Sequence, residues 1–260
     1  MLLSSVVIIL REVLEGALLL SVFLALSWHQ GYQFRWSLTA LFAGVIGAVF
    51  YAAEFESIST WFDYVGQEVV NASLHFLIVL FLTMFSLFYT AYKGRYDRAK
   101  IIFMTIAVAL TIVREGSEIL LYLSGFVGRD EALSSVILGG IIGAGIGLSL
   151  GGLLYYSLID FIPSYTRKVA YGLLALFSAA MLSDTVTMLT QADWLPAQHY
   201  LWDSSSWLAE ESLLGHLLYA LLGYEATPTA LQLAAYITGL FLVLVLPRLF
   251  SKGVAFNGHK

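Results

Sequence analysis

The sequence has 260 residues, of which 59% are hydrophobic and only 12% charged, with a formal net charge of −5. A soluble globule of this size needs more polar surface, so the composition excludes a soluble protein and indicates a membrane protein. Cysteine is absent and there are only five methionines, which excludes disulfides and thiolate metal sites and argues against a soft-metal pathway such as one for Cu(I).

Seven apolar runs are long enough to be membrane-spanning α-helices, since a hydrocarbon core of about 30 Å needs about 20 helical residues. A membrane β-barrel would instead show alternating segments of about ten residues. The first run lacks the basic start and the cleavage site of a signal peptide. We therefore predict an all-α polytopic membrane protein, a single transmembrane domain over 1–260, with spans at 3–27, 37–56, 70–92, 101–125, 134–157, 168–190 and 228–247.

Positive charge is concentrated in alternate connections. Ten Lys and Arg residues lie in 28–36, 93–100, 158–168 and the C-terminal tail, whereas 57–69, 126–133 and 191–227 contain only Arg129. The positive-inside rule then places the N-terminus outside and the C-terminus in the cytoplasm, which requires an odd number of spans. Acidic residues lie mostly in the outer connections. They either fill loops that the rule leaves unconstrained or concentrate cations at an entrance.

Two of the apolar runs contain the same charged pattern, R-E-x-x-E, at 11–15 in the first span and at 114–118 in the fourth. A charge at the centre of a membrane helix costs roughly 2.5 to 3.5 kcal/mol, so such residues are expected to be paired, interior-facing and functional. The second copy lies three spans after the first, so the two helices are antiparallel. This indicates an inverted repeat of 1–92 and 101–190, with the last span outside the repeat. The G-V-I-G-A segment at 44–48 resembles G-I-I-G-A at 140–144.

The spacing of the motif suggests a site for a hard cation. Residues three apart share a helix face, so each copy presents two carboxylates on one side, and facing helices would bring together Glu12, Glu15, Glu115 and Glu118. Oxygen-only ligands suit a hard, highly charged ion. Arg11 and Arg114 can each pair with the glutamate four residues later and keep it ionised. Salt bridges that merely lock the bundle, or a proton relay, are the alternatives.

At these residues the chain resembles the high-affinity iron permease family, which includes the fungal permeases and the bacterial EfeU-type transporters. The likeness extends to Gln67-Glu68, to the W-D-S-S segment at 202–205 and to E-E-S-L-L-G at 210–215. The resemblance implies iron import across the cytoplasmic membrane, with the four glutamates as ligands and the two arginines balancing their charge. It also implies an external ferroxidase or periplasmic iron-delivery partner. We expect iron as the transported substrate, no permanent cofactor, no nucleic acid and no enzymatic activity.

The chain departs from the family pattern at three positions. The usual motif is R-E-G-L-E, whereas Val13 and Ser117 occupy two of its places, and Asn71 stands where members often have a second acid after Glu68. Two other functions remain: a proton-coupled carrier of another divalent metal such as Mn²⁺, and a structural subunit of a membrane oxidoreductase complex. Carboxylate ligation and the resemblance favour the ferric ion. The sequence leaves the oligomeric state open, including a homo-oligomer.

Five further acids are candidates for an entrance or a gate: Glu68, Asp184, Asp203, Glu210 and Glu211. Asp184 is otherwise expected to bond to nearby Ser or Thr, and the last three to form a solvated face. His75 is expected to be a packing histidine with satisfied ring nitrogens. The glycines at 139, 143, 147 and 151 indicate close helix packing, within the chain or between subunits. Within 191–227, apolar residues from Trp207 to Leu221 predict an interfacial helix on the outer membrane surface.

Overall fold

The computed structural model describes residues 2–91, 96–161 and 163–257, and this part of the chain contains no β-strand. The helices lie within a few residues of the predicted spans, and most extend one turn into the flanking polar residues. The elements are α1 (Leu2–Gln30), α2 (Arg35–Ala53), α3 (Phe55–Ser59), α4 (Trp61–Tyr64), α5 (Gly66–Ala91), α6 (Asp97–Ser124), α7 (Asp130–Tyr156), a π-helical turn (Ser157–Phe161), α8 (Thr166–Gln191), α9 (Leu213–Leu222), α10 (Ala230–Leu244) and α11 (Leu246–Asn257).

Five helical stretches of the described residues have the length and the hydropathy that crossing a membrane requires: Arg35–Ala53, Gly66–Thr90, Ala132–Phe161, Thr166–Gln191 and Ala230–Ser251. The two helices that carry the R-E-x-x-E segments, α1 and α6, are of similar length, with 29 and 28 residues. Several of the positive charges counted above, Lys93, Arg95 and Lys260, lie outside the described residues.

The predicted last span, 228–247, is not one continuous helix. It is interrupted at Val245, between α10 and α11. Pro247 has no N–H group to donate to the carbonyl of Val243 four residues earlier. The Ser86 hydroxyl on α5 donates to that carbonyl instead, at 2.8 Å, so a neighbouring helix satisfies the backbone group that the proline leaves free.

The glycines of α7 pack against α1 of the same chain, which answers the question that the sequence left open. A Cβ atom on Gly139 would lie 2.6 Å from the Leu2 carbonyl oxygen, and one on Gly143 would collide with the backbone of α1. On the other side of the bundle, α2 packs against α6 in the same manner, since a Cβ on Gly44 would lie 2.6 Å from Ile112 Cβ. Close backbone approach therefore holds both motif-bearing helices.

The centre of the bundle is formed by α1, α5 and α8, between which large apolar side chains are fully buried. Phe23 packs edge-on against Phe85 with ring centroids 5.0 Å apart, and Leu174 of α8 is also fully buried. The start of α5 is fixed by α4, which is a tight turn rather than a regular helix. Its residues Phe62, Asp63 and Tyr64 all adopt positive φ angles. This turn places Glu68 in the first turn of α5.

The segment between α8 and α10 is only partly helical. The expected helix from Trp207 to Leu221 is wrong in extent, because residues up to Ser212 form turns and α9 begins at Leu213, where the Ser212 hydroxyl accepts from the Gly215 N–H. Trp207 is 93% exposed. The helix α9 packs against α1 and α8. The segment therefore contacts α1 at Arg11 and α8 at Ala180 and Asp184.

Candidate metal site

The two R-E-x-x-E segments meet where α1 and α6 cross, and Arg114 lies at the centre of the contact. Its Nη1 donates to Glu115 Oε2 at 2.5 Å and reaches across to Glu12 Oε2 at 3.4 Å, and its Nη2 lies 3.0 Å from Glu118 Oε1. The Arg114 side chain is only 4% exposed. One buried guanidinium group thus forms ion pairs with three carboxylates from two helices.

These three carboxylates form the cluster best suited to a metal ion among the described residues. Oxygen atoms of Glu12, Glu115 and Glu118 all lie within 4.8 Å of one another. Glu115 Oε1 and Arg114 Nε are buried and have no hydrogen-bond partner in the part of the chain that the structure describes. A hard cation requires several anionic oxygens, and three carboxylates from two helices can supply them beside one guanidinium group.

Glu15 occupies a different position from the one that the sequence predicts. It is buried, and its Oε1 accepts from Arg11 Nε at 3.3 Å, so the expected pair within the first motif does form. However, it is not part of the group of carboxylates that lie within 4.8 Å. A single turn of helix displaces it from Glu12 along the axis, and Arg11 holds it there. The structure therefore brings together three of the four predicted glutamates.

Arg11, Tyr219 and Asp184 form a second polar contact, which we call the outer latch after the side of the membrane that the sequence predicts for it. The Tyr219 hydroxyl on α9 donates to Asp184 Oδ2 on α8 at 2.6 Å, and the guanidinium carbon of Arg11 lies 4.2 Å from the centre of the Tyr219 ring. Asp184 therefore bonds to a tyrosine rather than to a neighbouring Ser or Thr. The latch joins α1, α8 and α9 beside the Arg11–Glu15 pair.

A polar stripe runs along one face of α5 toward the carboxylates. Glu68 is half-buried near the start of the helix, and Asn71, one turn further, accepts from the Tyr51 hydroxyl of α2 at 3.0 Å. His75 follows, fully buried and within electrostatic reach of Arg114. Its expected packing position is correct, but its ring nitrogens are not satisfied, because neither has a hydrogen-bond partner among the described residues.

The remaining predicted gate residues have local roles in residues 192–229, which we call the outer segment because the sequence predicts this connection to lie outside. Asp203 is exposed and accepts from both the backbone and the hydroxyl of Ser205, and these hydrogen bonds lower the pKa of the Asp203 carboxyl. Glu210 accepts from the backbone N–H of Ala226 and so ties two parts of the segment together. Glu211 is exposed. None of these three reaches the carboxylate cluster.

One acid of the outer segment has an unusual environment that the sequence did not reveal. Burial, reinforced by the charges of Asp184 and Glu210, raises the pKa of Glu225 to about 7. Gln232 of α10 partly opposes this shift by donating to Glu225 Oε1 at 2.6 Å, and the same amide group lies 2.8 Å from Thr187 Oγ1 on α8. Glu225 therefore titrates near neutral pH at the edge of the latch.

Sequence reasoning missed Tyr219 and Tyr51. Tyr219 lies midway between Gly215 and Gly223 on α9, and Gly223 has a φ of +65° and lies against Ala180 of α8. The available signal was therefore Gly223, four residues after Tyr219, because a glycine allows a neighbouring helix to approach closely. Tyr51 had no such signal, since its partner Asn71 is 20 residues away.

Comparison with known proteins gives one match. A sequence model described as the iron permease FTR1 family matches residues 2–254, which is essentially the whole chain. Searches of the curated proteins and of the solved structures found no match. The family match confirms the resemblance drawn from the two charged segments. Together with the long apolar helices, it indicates a multi-pass membrane protein that transports rather than catalyses.

Proposed function

Because the chain belongs to the iron permease FTR1 family, we propose that it imports iron across the cytoplasmic membrane, with Glu12, Glu115 and Glu118 as the ligands of the ion in transit. The observation that carries this assignment is the convergence of these three carboxylates within 4.8 Å at the crossing of two helices. Carboxylates buried in a membrane helix are costly, which favours a role on an ion pathway.

The formal charge of the region supports the ferric ion as the substrate. The region contains five carboxylates and two guanidinium groups, so its formal charge is −3 when all are ionised. The carboxylates are those of the three ligands, of Glu15 and of Asp184. A trivalent cation would neutralise this charge, whereas a divalent cation would leave one negative charge. A hard, highly charged ion is also the one that oxygen-only ligands prefer.

We further propose seven spans in an inverted repeat, with the N-terminus outside. The packing of the glycines supports the repeat: Gly44 faces Ile112, two residues before Arg114, and Gly140 faces Ile9, two residues before Arg11. Equivalent glycines of the two halves thus meet equivalent residues of the two motifs. In the same way, the second helix of each half packs against the first helix of the other half, α7 against α1 and α2 against α6.

The route to the ligands would follow the polar face of α5. Glu68 lies at its outer end, and Glu118, with a side chain 32% exposed, is the most accessible of the three ligands. His75 lies on the same helix within electrostatic reach of Arg114, and its ring nitrogens have no hydrogen-bond partner among the described residues. The outer latch closes the region above Arg11, so we assign Tyr219 as a gate that α9 holds shut. A phenylalanine at this position removes the hydrogen bond to Asp184, and unchanged iron flux in that variant would contradict the gate.

The main test is iron flux into liposomes that contain the purified chain. We expect Glu118→Gln to abolish saturable uptake, because the cluster loses an anionic ligand while the hydrogen bond to Arg114 can persist. Glu211→Gln serves as the control, since it removes an exposed acid far from the cluster. Full uptake by Glu118→Gln in correctly folded protein would refute the assignment.

Competition between metals separates the remaining functions. If Mn²⁺ displaces iron at equal concentration, the chain is a general divalent carrier. If neither ion is transported or bound, the buried charges only hold the helices together, as in a structural subunit. Stimulation of flux by an external ferroxidase or an iron-delivery protein would establish the partner that the resemblance implies.

A further inference from the structure

A second charged site lies at the opposite end of the bundle from the outer latch. A cavity of about 440 Å³ is bordered by the end of α5, the beginning of α8 and the junction of α10 with α11, and three of its lining residues are cationic: Arg167, Lys168 and Arg248. None of the described residues that line the cavity is acidic. Its position and its charge are separate from the carboxylate cluster.

The three cations lack anionic partners within the described protein. No carboxylate lies within 4.0 Å of any of them among the residues that the structure describes, where the ion pairs involve Arg11, Lys100 and Arg114 only. The positive-inside rule accounts for cations at this end of the bundle, but it does not explain why residues 81 positions apart in the chain converge on one cavity. Their mutual repulsion would be relieved by a bound anion.

The backbone adds to the positive field. α8 begins at Thr166, and Tyr165 before it provides no side-chain cap for the first turn. The N–H groups at the start of a helix carry partial positive charge and favour an anion, a phosphate in particular. The hydroxyl groups of Tyr89 and Tyr171 also belong to residues that line the cavity, and both can donate to phosphate oxygens.

The apolar side of the cavity identifies the kind of anion. Val243 and Leu244 of α10 form part of the lining. Further along the same helix, Ile237 and Phe241 are 57% and 43% exposed, on the apolar surface that continues away from the cavity. Exposed apolar surface of this kind on a membrane protein faces acyl chains. A free phosphate would use only the cations, whereas a phospholipid would use both parts.

We propose that this cavity binds the head group of an anionic phospholipid, with Arg167, Lys168 and Arg248 around the phosphate and an acyl chain along α10. The bound lipid joins α5, α8 and α10, and so supports the helices that carry His75 and Asp184. The proposal does not depend on iron transport, because it concerns a different end of the molecule and can be measured without metal.

The test compares lipid binding by two double variants of the purified full chain. In Arg167→Gln/Arg248→Gln the cavity loses two cations, and in Arg35→Gln/Arg98→Gln the same end of the bundle loses two exposed cations outside the cavity. Phosphatidylglycerol is titrated in detergent and the bound lipid is counted by native mass spectrometry. We expect the cavity variant to bind roughly 30-fold more weakly, since each cation near a lipid surface contributes about fivefold, and the control to bind like the wild type.

Two further ligands decide the identity of the anion. Phosphatidylcholine with the same acyl chains should bind no more tightly to the wild type than to the cavity variant, and inorganic phosphate should not displace phosphatidylglycerol. If both double variants bind phosphatidylglycerol equally weakly, the lipid binds to a diffuse positive surface, and the proposal is overturned. Full displacement by inorganic phosphate would also overturn it, in favour of a soluble anion. All four substituted residues are exposed, and melting curves without lipid confirm that the variants are folded.

Discussion

Replacement of Arg114 by glutamine should destabilise the protein far more than the same change at Arg11. The Arg114 side chain is 4% exposed and pairs with three carboxylates, and two of these, Glu12 and Glu115, are as deeply buried as the arginine. Removing one partner of a buried ion pair costs about 3–5 kcal/mol, because the remaining charge is left without compensation. Here three carboxylates would lose their only shared cation, so we expect a cost at the upper end of this range.

The matched change at Arg11 has a smaller expected cost. This side chain is 29% exposed, and its ion pair with Glu15 spans one helical turn. Such a pair contributes about 0.3–0.5 kcal/mol, and the contact with the Tyr219 ring adds about 1 kcal/mol. The expected cost of Arg11→Gln is therefore about 1–2 kcal/mol. The difference of roughly 3–4 kcal/mol between the two variants is large enough to measure.

The assay is thermal unfolding of the purified variants in detergent without metal, followed by the same measurement with iron. Arg114→Gln/Glu115→Gln, which removes one of the uncompensated carboxylates, should recover part of the lost stability. Added iron should stabilise Arg114→Gln more than the wild type, because the ion replaces the missing cation. If Arg114→Gln is as stable as Arg11→Gln, or if the double variant is less stable than the single one, Arg114 does not hold the carboxylates together.

Two further predictions concern the packing of α7 and the titration of the outer segment. Gly143→Ala should destabilise the protein by about 1–3 kcal/mol, because its Cβ would collide with the backbone of α1. Gly145→Ala, whose Cβ would meet no atom within 4 Å, should be neutral or slightly stabilising. Equal melting temperatures for the two variants would contradict this packing. The pKa of Glu225 is raised to about 7 in the fold, so ionising it opposes folding, and the stability that it contributes at low pH is lost as the pH rises through about 7. The rate of hydrogen exchange in residues 200–229 should therefore increase more between about pH 5 and pH 8 in the wild type than in Glu225→Gln. An equal increase in both proteins would refute the role of Glu225.

The sequence was sufficient for the local part of the candidate site but not for its centre. Both ion pairs that span one helical turn, from Arg11 to Glu15 and from Arg114 to Glu118, follow from helix geometry and are present. The two motifs are identical in pattern, so nothing in the sequence distinguishes the arginine that bridges two helices from the one that pairs only within its own. That distinction depends on the crossing of α1 and α6 and on α9, which covers one motif and not the other.

Contacts between distant segments were predictable only where a repeated pattern marked them. The glycines of α7 indicated a close helix partner, but the choice between α1 and a second subunit required the structure. The outer segment was the least predictable, because leucine spacing from Trp207 to Leu221 fits a longer helix. The turn that ends at Ser212 replaces its first part, since a serine cap at this position starts α9 later.

If the cluster is the proposed transport site, the position of Arg114 explains how buried carboxylates can conduct an ion rather than trap it. Each of the three carboxylates already has a cation within 3.4 Å, so an incoming ion must compete with the guanidinium group for the same oxygen atoms. This competition lowers the affinity that three free carboxylates would have. Conduction requires a site that binds strongly enough to admit an ion and weakly enough to release it. A guanidinium group that belongs to the site meets both conditions. It stabilises the carboxylates when the site is empty, and it pairs with them again as the ion leaves. Arg114 then acts on the rate of release, and its loss should tighten iron binding while slowing transport.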